Sequence, residues 1–223
     1  MRDSKPIFIG ISRSIRRMFP VSPADVVGWA GVSLGVISTW IQFRRAREIS
    51  VDGISLVTWF QFILMGIFWI CYGVNQRSLI IAAGAACVMP MQFSIVWRLQ
   101  PWRQLGVVAR SSAFILCCCA APTLLFGWSA GVYGIGIAMA CNRVPQIVTL
   151  IKNRGDLGVS VGSWSLGALC SAMWIFFYAG KHNWAGLTAT SAAMAGNIAI
   201  ASLASWRHQQ RPGDVIAFAG AGG

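Results

Sequence analysis

The sequence predicts an all-α membrane protein with seven transmembrane helices, arranged as three, one and three, the two triplets being parallel repeats. Three observations predict it. The 223-residue chain is 56% hydrophobic and only 11% charged, whereas soluble domains carry about 25% charged residues. It divides into apolar stretches, free of charge or with a single arginine, near the ~20 residues that cross a bilayer core. A motif around Gln42 returns around Gln146, 104 residues later, and each copy carries three such stretches.

The stretches run 26–43, 54–74, 78–97, 105–126, 129–151, 162–180 and 184–206. The first follows a basic segment with Arg2, Lys5, Arg13, Arg16 and Arg17. It has no small-x-small cleavage site and is matched by later stretches, so it reads as a retained helix rather than a signal peptide. Upstream, "FIGISRSIRRMF" reads as an amphipathic interfacial helix or a dispensable tail, with Met18 an alternative start. Residues 111–142 contain no charge. They would make about 48 Å of helix, too long for one crossing, so they divide into two helices at "FGWSAG", residues 126–131. Arg110 lies near one end of the fourth span, where it can snorkel. The closing "RPGDVIAFAGAGG" reads as a loose tail.

The repeat is explicit. "TWIQFRRAREISVDGISLVTW" from Thr39 aligns with "RVPQIVTLIKNRGDLGVSVGSW" from Arg143. Gly53-Ile54-Ser55 and Trp59 match Gly158-Val159-Ser160 and Trp164, and Trp69 matches Trp174, at a spacing of 105 after one inserted loop residue. Three crossings leave the chain on the wrong side to start an identically oriented copy, and an unrepeated fourth helix corrects this. The organisation is a basic tail (1–25), a first triple-helix bundle (26–97), a linker (98–128), a second bundle (129–206) and a C-terminal tail (207–223). Ser55 and Ser160 are expected as helix N-caps, and Trp59 and Trp164 as interfacial anchors. The pairs Gly31/Gly35, Gly127/Gly131 and Ala192/Gly196 allow close helix approach.

The net charge of +12 is not a nucleic-acid signal. The basic residues sit in short clusters between apolar runs, as in membrane-surface loops. Arg44, Arg45, Arg47, Arg98, Arg103, Arg110, Lys152, Arg154, Arg207 and Arg211 belong to alternate loops and the C-terminal tail. The other side has Arg77, Lys181 and the N-terminal tail. The positive-inside rule therefore puts the C-terminus in the cytoplasm, with the plasma membrane as the expected location. The seven cysteines all lie in apolar runs, without a CxxC or a nearby histidine. They are expected to be small apolar fillers, neither disulfides nor ligands. No acidic residue or histidine falls inside a span, so no catalytic group, metal or cofactor is expected.

Gln42 and Pro145-Gln146, each followed by a basic loop, Gly-Ile/Val-Ser and Trp, resemble the PQ-loop repeat family. Its relatives include the SWEET and SemiSWEET transporters. The resemblance covers roughly residues 26–206 and is closer in the second copy, since Ile41 replaces the first proline. It implies two triple-helix bundles joined by a linker helix. Family members move sugars, amino acids or other small solutes, and one branch sorts proteins by binding peptide tails. SWEET-like relatives place an asparagine early on the third helix of each bundle, a position that falls near Ala83 and near Thr190 here. Neither is an amide, so the chain departs from the SWEET-like pattern at both positions.

Pro145 lacks an N–H, so the carbonyl of Cys141 loses its helical partner, which is costly in lipid. Pro145, Gln146 and Gln42 are therefore expected at a hinge or gate, with the amides of Asn142 and Gln146 serving freed carbonyls or a solute. The competing reading is a static kink, with Arg143 snorkelling to phosphates. Candidate solute contacts are Asn197 and Thr190, seven residues apart on one face of the last span, with Trp174, Tyr178 and Asn142; aromatic faces suit flat or amphipathic solutes. The expected function is a small-solute facilitator working by alternating access between two bundles, its cargo a sugar or other small neutral metabolite. An amino-acid transporter, or a receptor or sorting protein on the same scaffold, is the alternative. The expected partners are a small-molecule solute and membrane lipid, with no nucleic acid; a homo-oligomer is left open.

Overall fold

The structure, a computed structural model, describes residues 22–152 and 158–209. These residues form helices and short connections. Seven helices are long and apolar enough to cross a membrane: α1 (Pro23–Glu48), α2 (Leu56–Asn75), α3 (Leu79–Arg98), α4 (Leu105–Phe126), α5 (Trp128–Lys152), α6 (Val161–Gly180) and α7 (Trp184–Gln209). The chain is an all-α, multi-pass membrane protein. The interfacial reading of the N-terminal tail, the loose C-terminal tail, Arg154, Asp156 and Arg211 lie outside the described residues.

Local chemistry sets the helix starts. Ser22 caps α1 in a reciprocal box with Asp25, and Pro23 occupies the first turn, where a missing N–H costs nothing. Ser55, Ser78 and Ser160 cap α2, α3 and α6 through their hydroxyls. α1 runs past its expected end through Arg44 and Glu48, which form an i,i+4 ion pair of the kind that supports a helix beyond its apolar run.

Prolines interrupt three helices. α3 breaks at Cys87–Val88, ahead of Pro90, and α5 breaks at Asn142, ahead of Pro145. Within α4, a widened π-turn at Leu116–Ala120 precedes Pro122. α1, which carries Ile41 where α5 has Pro145, is continuous.

The third helix of each triplet packs between the other two. α3 contacts α1 and α2, and α7 contacts α5 and α6. The triplets then close on each other, α1 along α6 and α2 against α5, making a ring of six helices. α4 stands outside this ring against α2 and α5. The repeat reaches into the turns: Arg77 and His182, 105 residues apart, adopt left-handed φ of 50° and 51° between the second and third helices of their triplets. Large apolar side chains such as Val26, Leu124, Phe126, Ile137 and Phe176 cover the outside.

Contacts between loops sort the two faces. The loop after α1 touches the loop after α5, with the Gly158 amide donating to the Asp52 carbonyl. Arg207 at the end of α7 donates to the Ile151 carbonyl. Ser50 and Arg47 border a recess shared with Arg98 and Trp102 after α3. This is the basic face. At the opposite face Lys181 pairs with Asp25 at 2.8 Å.

Candidate functional site

Five polar side chains join the triplets near the basic face. The Gln42 amide donates to the Gly158 carbonyl at 2.6 Å, and its oxygen accepts from the Ser160 N–H at 3.0 Å. Gln146 repeats this in the other direction: it donates to the Gly53 carbonyl and accepts from the Ser55 N–H at 2.9 Å. Both glutamines are 1% exposed. One turn away, the Ser163 hydroxyl donates to the Ser38 carbonyl at 2.7 Å, and the Thr58 hydroxyl to the Asn142 carbonyl at 2.8 Å. Ser38 returns a bond to the Ser163 carbonyl. Buried backbone groups in lipid must find partners, and here each triplet supplies partners for the other. The expectation that Gln146 serves carbonyls freed in its own helix is corrected. A side chain at this register points across the ring, where the connecting loop presents a carbonyl six residues, and an N–H four residues, ahead of the paired tryptophan.

Inside this clasp lies a cavity of about 230 Å³, lined by α1, α2, α3, α5, α6 and α7. That is slightly below the ~300–1,000 Å³ of drug-sized sites and suits a small metabolite. Its walls are nearly two-fold symmetric in chemistry. Trp59 and Trp164 sit toward the clasp, with Phe62 between them, its ring centre 5.4 and 6.3 Å from theirs. Both tryptophans are buried, so the expectation that they anchor at the lipid interface is corrected: one turn into α2 and α6 still faces the partner triplet. At the other end, Trp69 and Trp174 line the cavity. Behind them Tyr178 lies 6.0 Å from Trp69 and 5.8 Å from Trp174, and Tyr72 and Phe68 continue the aromatic layer.

Of the candidate solute contacts, Asn197, Thr190 and Trp174 line the cavity. Asn197 donates to the Ser171 hydroxyl at 3.2 Å, and Thr190 bonds back to the Gly186 carbonyl at 2.8 Å. Tyr178 is buried in the aromatic layer, outside the lining, with Gly186 against its ring. Asn142 is fully buried and also outside the lining; its carbonyl is held by Thr58 and its side-chain oxygen by Arg143. Pro145 is half-buried just beyond the break in α5.

Two lining residues with unmet polar atoms were not among the candidate solute contacts. Gln92 stands 105 residues before Asn197, and its buried Oε1 has no hydrogen-bond partner. The spacing that pairs Trp59 with Trp164 also pairs Gln92 with Asn197 and Ala85 with Thr190, and extending it along α3 would have found both. Arg143 is the second. It does not snorkel outward: it is 4% exposed and lines the cavity. Its Nη1 donates to the Met139 carbonyl at 2.9 Å and to Asn142 Oδ1 at 2.7 Å. Its guanidinium carbon lies 5.1 Å from the centre of the Phe62 ring, a cation–π distance.

Compared with family models, with curated proteins and with solved structures, the chain gives no match.

Proposed function

We propose that this protein is a small-solute facilitator of the PQ-loop repeat kind, moving its cargo by rocking two triple-helix bundles about a central site. The observation that carries the reading is the cavity itself: both triplets line it at equivalent positions, and hydrogen bonds between the triplets close it toward the basic face. Transporter sites recur at such a repeat interface. The broken helices α3 and α5, on opposite triplets, supply points that can bend. The excess of Lys and Arg on the clasp side makes that side, and the end of α7, cytoplasmic; we take the cell membrane as the setting.

The test is flux. Protein reconstituted into liposomes is offered a mixture of small metabolites, and the contents are read by mass spectrometry. Selective, saturable entry of one class is expected. Entry no faster than into protein-free liposomes for every compound overturns the reading.

A further inference from the structure

We propose that the cargo is a small organic anion, recognised by the Arg143 guanidinium through a carboxylate or phosphate group, with Gln92 and Asn197 holding its polar remainder. The inference rests on the transport reading and replaces a neutral cargo with a charged one.

A guanidinium stays protonated in proteins, so the cavity wall carries a permanent positive charge. Burying a charge is costly unless an opposite charge and further hydrogen bonds compensate it. What surrounds Arg143 is neutral: a carbonyl, an amide oxygen and an aromatic face. Its Nε has no hydrogen-bond partner. The carboxylates among the described residues are elsewhere. Asp25 pairs with Lys181 at the far face, Glu48 pairs with Arg44, and Asp52 lies exposed in the loop beyond the clasp. A counter-charge must therefore come from outside these residues, and the cavity is where it can enter.

The seat of the arginine is built. Gly196 on α7 lies against its stem, and a Cβ there would come 2.6 Å from Arg143 Cγ. Any larger residue would push the guanidinium off its present line. The next residue is Asn197, whose amide shares the cavity. Gln92 faces the same space from the other triplet, 9% exposed and with an orphaned oxygen. A buried unmet acceptor is destabilising, and a hydroxyl or N–H on the cargo would satisfy it. One fork-shaped cation for an oxyanion and two amides for donors and acceptors make a recognisable set. The tryptophan walls leave room for a short carbon skeleton.

The test uses the full chain purified in detergent and the emission of its tryptophans, several of which line the cavity. The probes are lactate, succinate and inorganic phosphate, with lactamide and glucose as neutral controls. At least one of the three anions is expected to shift the emission at millimolar concentration, with lactamide and glucose inert. R143Q should weaken that anion at least tenfold, and R143K should keep the preference for anion over neutral probe. Carboxylate and phosphate cargoes separate by which probe responds. Equal response to lactate and lactamide, no response to any anion, or wild-type anion affinity in R143Q overturns the inference. Should R143Q fail to fold, the wild-type and R143K comparisons decide. Anion binding without flux would sink the transport reading and leave the site standing. Flux of a neutral solute, unchanged in R143Q, would sink the site alone.

Discussion

Gln42 and Gln146 each hold the loop that belongs to the other's triplet, with the same two hydrogen bonds in opposite directions. Replacing either by Leu orphans a buried carbonyl and a buried N–H, at about 1–3 kcal/mol for each group. The state closed at the basic face should lose population. A cysteine placed at Ala193, in a background without the native cysteines, should be labelled several-fold faster from the basic side in Q42L and Q146L. Unchanged labelling in both would mean that the clasp is not what shuts that face.

Gln92 should trade stability against binding. Q92L removes an unsatisfied buried acceptor and keeps the volume, a change that is neutral or stabilising by up to ~1–3 kcal/mol. The melting temperature should hold or rise while affinity for the bound anion falls. A lower melting temperature with unaltered affinity would make Gln92 a packing residue.

Asn197→Ala removes a donor to Ser171 and an amide from the cavity wall. Uptake should fall about tenfold for a lost, well-formed contact, with the detergent elution profile unchanged. Full uptake would show that Asn197 serves only α6–α7 packing.

Gly196→Ala places a methyl group against the Arg143 stem. Overpacking of this kind costs about 1–3 kcal/mol. Anion affinity should drop more than in Ala192→Gly, a change of similar size on the same helix. Comparable affinities in the two variants would show that the arginine tolerates displacement.

Transport should respond to voltage and ignore a proton gradient. No Asp, Glu or His lines the cavity among the described residues, so nothing there takes up a proton between pH 5 and 8. One negative charge per cycle couples to the potential at about 2.3 kcal/mol per 100 mV, which is roughly a 50-fold accumulation toward the positive side. Liposomes with a potassium–valinomycin potential measure it. Accumulation driven by a pH step and abolished by a proton ionophore would overturn the expectation.

The seven crossings were legible because lipid leaves helices few ways to be wrong: length and missing charge define them. The clasp was half legible. Gln42 and Gln146 stood out as polar groups in apolar runs, but hydrogen bonds across the ring depend on which helices are neighbours, and α1 packs on α6 rather than on α2. The two tryptophans one turn into α2 and α6 were misread for the same reason, since the first turn of a membrane helix normally sits at the interface. The snorkelling reading of Arg143 failed, although a lone cation at a helix break ordinarily reaches for lipid phosphates. The glycine that turns it inward is 53 residues further along the chain, and no local pattern connects the two.

The repeat spacing of 104 that pairs Gln42 with Gln146 also pairs Arg143 with Thr39, and both face the cavity. A dimer of two identical three-helix units would have no such freedom. Symmetry would copy an arginine into both halves, setting two like charges across one small chamber, where each would repel the other. Joining the halves through α4 lets one keep the cation while the other keeps a hydroxyl. The cargo then meets a polarised chamber with a charged wall and a neutral one, and so has a single preferred way round inside a nearly symmetric machine.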